Sequence, residues 1–144
     1  MENTSSPQRW NFEDIVVGYE TELIPCFFSA EDLDTFTRLS GNYNPLHTDD
    51  TFAQQKGYIK RLAHGILLAA KFSYLVGMVI PGRDSLCLSQ SVYFHKPIFV
   101  NDACTLKGTV ISKSDSTRTL EIRTELFNAE NILAVSGIAK VKVI

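Results

Sequence analysis

The chain has 144 residues, 44% of them hydrophobic and 21% charged, with a formal net charge of −2. That length supports one domain with a continuous core and leaves no room for a second folding unit. The balance is that of an ordinary globular domain, and the absence of a Lys/Arg cluster excludes the basic stripe that a nucleic-acid surface needs.

The opening stretch, MENTSSPQRW, has no basic-then-apolar leader pattern. A cytoplasmic location is therefore expected, with residues 1–8 a flexible tail and residues 9–144 a single domain. Residues 19–28 read as a first strand. Ser29, followed by Glu31 and Asp32, opens a short amphipathic helix over residues 29–39. It sets Leu33, Phe36 and Leu39 on one face, carries acids in its first turn and ends at Gly41. Residues 42–48 read as a loop, after which Asp49 or Asp50 caps another short helix through Lys56. Residues 66–80 are apolar on nearly every face, yet they carry Lys71 and fall short of the roughly 20 residues that a membrane span needs. They predict a helix buried inside the domain, closed off by Pro81 and Gly82, and no membrane association.

Downstream, residues 85–94, 103–112, 117–127 and 133–143 alternate or run in β-branched and aromatic side chains. Turn signals separate them at Lys96 and Pro97, at 113–116 and at 128–131. Five long strands and one buried helix predict an α+β domain in which an antiparallel sheet curls around that helix.

Two short segments carry the groups suited to chemistry: SGNYNPLHTD at 40–49 and LAHG at 62–65. The first offers Asn42, Asn44 and His47; the second puts His64 and Gly65 at the head of the apolar run. Imidazole titrates near neutrality, so His47 can exchange a proton. Backbone N–H groups at a helix start lack intrahelical partners and favour negative charge, and Gly65 leaves that backbone open to a ligand. Taken singly, each residue has a plain structural reading: His47 a loop histidine bonded to backbone, Asn44 with Pro45 a turn pair, His64 a helix-start residue, Ser73 a back-bonded helical serine. Joint occurrence singles out His47, Asn44 and Gly65. Lys56, Lys60 and Arg61 read as a solvated charged face that could also attract an anionic ligand. Cys26, Cys87 and Cys104 stand far apart without a CxxC pair, so they predict neither a disulfide framework nor a zinc site. Without GxGxxG, P-loop, HExxH or GxSxG patterns, no cofactor, no metal and no α/β-hydrolase triad are expected.

Residues 34–102 resemble the MaoC-like family of (R)-specific enoyl-thioester hydratases and dehydratases. The family's SGDxNPxHxD is matched by Ser40, Gly41, Asn44, Pro45, His47 and Asp49. Its HG element is matched by Ala63, His64 and Gly65, its LPG by Ile80, Pro81 and Gly82, and its FxxPVxxGD by Phe94, Pro97 and Asp102. The resemblance implies a hot-dog fold, a homodimer with sites at the subunit interface, and an enoyl or 3-hydroxyacyl thioester of coenzyme A or an acyl carrier protein as substrate. It implies Asn42 and His47 as the catalytic pair, Asn44 and Ser73 as orienting residues, and the Gly65 N–H as the oxyanion donor. The family's catalytic aspartate falls on Asn42, whose amide can hold a water but has no basic lone pair. Three explanations of Asn42 stand open: an isosteric inactivating change, a natural retuning, or transfer of the acid's role to Asp49 or Asp50. Beside a hydratase, the same residues allow a non-catalytic acyl-thioester binder or heterodimer partner, and an enoyl-thioester isomerase.

Overall fold

The computed structural model describes residues 6–144. Residues 1–5 of the expected tail lie outside the described residues. Gln8, at its end, donates its N–H to Met78 and accepts from Arg83.

Strand β1 (Ile24–Cys26) is followed by the helices α1 (Ala30–Ser40), α2 (Pro45–Thr48), α3 (Asp50–Gln55) and α4 (Gly65–Tyr74). The strands β2 (Ser85–Gln90), β3 (Tyr93–Phe94), β4 (Cys104–Ser114), β5 (Thr119–Phe127) and β6 (Leu133–Val143) complete the chain. All pairings are antiparallel, and the sheet runs β1-β4-β5-β6-β2, with β3 also on β6. The sheet wraps α4, so the α+β arrangement is the one the sequence predicts. Among the described residues no helix is long and apolar enough to cross a membrane.

Local chemistry explains the elements. Ser29 accepts the Asp32 N–H while the Asp32 carboxylate accepts the Ser29 N–H, a reciprocal capping box that starts α1. Gly41 ends it in the left-handed conformation at φ 75°. Leu33 and Thr37 form its buried side, whereas Leu39 is 83% exposed, a departure from the predicted apolar face. The loop predicted over 42–48 contains one helical turn, α2, capped by Asn44, and Asp49 caps α3 by accepting two N–H groups. Beyond Tyr74 the central helix widens into a π-helical segment, Leu75–Val79, before Ile80 turns extended.

Two predicted strands are cut short. Between Glu20 and β1, Thr21 bonds Gly108 with both its backbone N–H and its hydroxyl, so a side chain takes the place of a ladder bond. The predicted 85–94 strand breaks after Gln90, where Ser91 crosses Gly137 of β6; a Cβ there would fall onto the Ser91 carbonyl oxygen. Leu75 lies over Gly108, where a Cβ would come 2.8 Å from its side chain, seating the helix on β4.

Two apolar clusters fill the interior. One joins Leu33, Leu68, Phe72, Leu75, Leu106 and Val135; the other joins Phe12 and Ile15 to Val76, Ile80, Leu120 and Val141. One side of α4 stays uncovered within the single chain, where Ile66, Ala70 and Ser73 are exposed.

Gly137→Ala is expected to destabilise the fold by about 3 kcal/mol or more, the upper end for overpacking, because the obstacle is backbone and cannot rotate away. Ser29→Ala should cost about 1 kcal/mol through loss of the cap. Denaturant unfolding of both variants checks the order of the two.

Candidate active site

The segment after α1 is fastened by a run of short bonds. The Ser40 hydroxyl donates to the Phe36 carbonyl at 2.7 Å and accepts the Asn42 N–H at 3.1 Å. The Asn42 Oδ1 then accepts the Asn44 N–H at 3.1 Å, and the Asn44 Oδ1 accepts the Leu46 N–H at 3.0 Å to cap α2. The first of these bonds fixes the Asn42 amide: its oxygen faces Asn44, and its NH₂ is left without a protein partner among the described residues. Asn44 therefore orients Asn42 through its backbone, while its own side chain serves the helix cap.

The cap places His47 on the single turn of α2. Its Nδ1 lies 2.8 Å from the Leu62 carbonyl oxygen. A carbonyl can only accept, so Nδ1 carries the proton and Nε2 keeps its lone pair, the form a general base requires. The His47 ring stacks on His64 with centroids 4.0 Å apart and planes 25° from parallel. His64 is 2% exposed, its Nε2 is 3.0 Å from the Thr37 hydroxyl, and its ring makes a T-shaped contact with Phe36. Burial pushes the His64 pKa below the usual 6.5, and the charge His47 gains on protonation acts in the same direction. The Asn42 carbonyl opposes this without meeting hydrogen-bond geometry, and Arg61 adds to the lowering.

A cavity of about 670 Å³ opens beside these rings. Its walls include Phe36, Asn42, His64, Gly65, Phe94 and Lys96. Gly65 begins α4, and the Phe94 ring lies so close that a Cβ on Gly65 would sit 2.8 Å from it. Glycine is the residue this approach allows, and it keeps the first N–H groups of α4 at the cavity wall.

Asn42 and Gly65 line this cavity; His47 is not among its lining residues but stacks on His64, which is, and Asn44 bonds Asn42 while lining a separate cavity with Leu46 and Phe52. Ser73 stands apart: it lines a second cavity of about 370 Å³ with Ser85, Cys87 and Gln90, on the uncovered side of α4. Asp49 caps α3, Asp50 accepts the Arg61 N–H, and neither lines the main cavity. The basic residues read as a charged face are occupied as well. Arg61 pairs with Asp34 at 2.9 Å, Lys60 with Asp102 at 3.5 Å, and Lys56 lies over the Phe52 ring. Lys96, which the sequence offered only as a turn residue, is the exposed cation at the cavity wall. Burial holds the thiol of Cys104 up to about 12, with Cys26 and Asp102 adding to the rise, and burial raises that of Cys26, so neither is an available thiolate. Among the described residues no group of three His, Cys, Asp or Glu side chains could hold a metal ion. Sequence reasoning missed the importance of His64 and Thr37. A polar residue four positions after buried Leu33, on the inward side of an amphipathic helix, was the available signal.

Residues 16–131 match the family model for the MaoC-like domain. The chain is 36% identical to an (R)-specific enoyl-CoA hydratase of Aeromonas caviae over 130 residues, 90% of this chain and 96% of the relative. A 3-hydroxybutyryl-CoA dehydratase of Methylorubrum extorquens is 32% identical over 99 residues, 69% of this chain and 62% of that protein. Among solved structures, an (R)-hydratase from A. caviae involved in PHA biosynthesis superposes with a TM-score of 0.87 at 34% identity, covering 92% of this chain and 99% of that one. An unliganded R-hydratase from Pseudomonas aeruginosa gives 0.89 at 27% identity, covering 96% and 88%. The fold is accordingly the hot-dog fold of these hydratases, and the chain belongs to the family of MaoC-like domains.

Proposed function

We propose that this chain is an (R)-specific hydratase/dehydratase of enoyl or 3-hydroxyacyl thioesters carried on coenzyme A or an acyl carrier protein. The observation that carries the reading is the bond from His47 Nδ1 to the Leu62 carbonyl, which leaves Nε2 its lone pair on a ring stacked against His64, the N-cap residue of α4. Hydration adds the oxygen of water to the β-carbon and a proton to the α-carbon, while negative charge builds on the thioester oxygen. His47 Nε2 takes the water proton and returns it to the α-carbon. The Gly65 N–H holds the thioester oxygen as it gains charge. Asn42 contributes an amide donor that positions water but takes no proton. Lys96 offers a cation at the wall for the phosphates of the carrier.

The reading includes a homodimer. It is supported by the exposed Ile66, Ala70 and Ser73 on α4, and by the sheet edge β2, where Leu86 and Leu88 are 52% and 50% exposed. An edge of this kind is normally paired or covered. Three unpaired cysteines accord with the cytoplasmic location the reading adopts. A second reading, a silent acyl-thioester binder or partner subunit, is favoured by one observation only: Asn42 brings no charge to the catalytic position.

The first test is hydration of a short trans-2-enoyl-CoA, followed by loss of the conjugated absorbance. His47→Ala is expected to lower kcat by about 10² to 10⁴ fold, and Asn42→Asp to raise it by about 10² fold or more, the range of a positioned general base. Undiminished activity in His47→Ala would sink the reading; acyl-CoA binding without turnover in all three proteins would favour the silent binder. Light scattering should return a mass twice the 16.1 kDa of the chain, falling to a single chain mass in Leu88→Asp.

A further inference from the structure

His64 is a buried imidazole that the proposed reaction leaves without a role. Four observations surround it. Its ring is parallel, within 25°, to that of His47 at 4.0 Å. Phe36 packs against it edge to face at a centroid distance of 4.9 Å, so the ring contacts two flat side chains, one stacked and one inclined at 65°. Its Nε2 meets Thr37 Oγ1 at 3.0 Å, on a helix that supplies no other polar group to the interior. Its Nδ1 is buried and has no hydrogen-bond partner among the described residues, the Asn42 backbone carbonyl lying near without hydrogen-bond geometry. A buried nitrogen without a partner costs free energy, and a site that keeps one uses it or accepts the cost to hold the ring in place.

We propose that His64 is the positioning residue of the proton-transfer histidine: its face, clamped through Thr37 and Phe36, sets the plane of the His47 ring and thereby the direction of the His47 Nε2 lone pair. The inference rests on the hydratase reading for its catalytic consequence but not for its structural one. One hydrogen bond, from Nδ1 to Leu62, leaves the His47 ring free to rock about that bond. A stacked partner removes this freedom, and in a site whose aspartate is Asn42 no carboxylate is present to do so. The neighbouring charge on the pair is Arg61, itself paired with Asp34, so the stack is not flanked by an unpaired cation. The unprotonated state of His64, favoured by burial, keeps two like charges from facing each other when His47 holds the transferred proton.

The test uses the full chain without ligand, labelled with ¹⁵N, and reads the histidine ring nitrogens by long-range proton–nitrogen spectra at mildly alkaline pH. The wild type should show His47 as a single Nδ1–H tautomer. In His64→Ala the two His47 nitrogen signals should move together toward tautomer averaging, with kcat for enoyl-CoA hydration about 10 to 100 fold lower and KM unchanged, the cost of a slightly misplaced reacting group. His64→Phe, which keeps a flat ring, should recover part of both. Thr37→Val, which removes only the hydroxyl partner, should shift the His47 signals in the same direction as His64→Ala. Unchanged His47 signals in a folded His64→Ala or Thr37→Val protein overturn the proposal; if His64→Ala does not fold, Thr37→Val decides. A wild type without turnover whose His47 tautomer averages in these variants would defeat the hydratase reading and leave this one standing.

Discussion

The apolar sequence of α4 is the constraint from which the rest of the structure follows. A helix with Leu68, Phe72, Leu75 and Val76 buried cannot sit at a surface, and the sheet that encloses it must leave one end open for the chain to enter. That end is the His64–Gly65 junction. The helix needs backbone donors there that nothing inside it can satisfy, and the segment from α1 to α3 converges on the same point. Covering an apolar helix and building a polar site are therefore one arrangement seen from its two ends.

The convergence explains why hydrogen bonds outnumber charges in the site. Ser40, Asn42 and Asn44 form a relay in which each side chain accepts an N–H two residues further along. Short polar side chains compete with helix formation in this way, and here they produce a tight turn in place of a longer α2. The ionised groups nearby are spent on structure: Asp49 on a cap, Asp50 on the Arg61 backbone, Asp34 on the Arg61 side chain. Apart from Lys96 at its wall, what faces the cavity is polar or apolar without formal charge, so the direction of hydrogen bonds sets most of its chemistry.

Where the sequence was legible, a local rule coincided with the tertiary demand. The capping box at Ser29 and Asp32 marks α1 whatever it packs against, and the alternation of β6, with Ala139, Val141 and Val143 buried and Lys140 and Lys142 exposed, is the pattern of a strand with one covered face. The strand predicted over 19–28 shrank to three residues because Thr21 substitutes its hydroxyl for a ladder partner, a bond between positions 87 residues apart that no window along the chain contains. Ser73 was assigned to the site by likeness, yet within one chain it faces the other side of α4. That Asn42 and Gly65 share a cavity wall was legible because the motif's two short segments place them. His64 was not, because its meaning lies in a stacking partner 17 positions away on another helix.

The anchored amide of Asn42 carries one more implication. Because the Asn44 N–H pins Oδ1, the polar atom of the Asn42 side chain that stays free is the amide nitrogen, and exchanging it for oxygen would convert a donor into an acceptor on an unmoved frame. The scaffold thus holds a polarity toggle one atom in size. A lineage can pass between gripping an acyl thioester and transforming it while the turn, the cap and the helix start remain as they are.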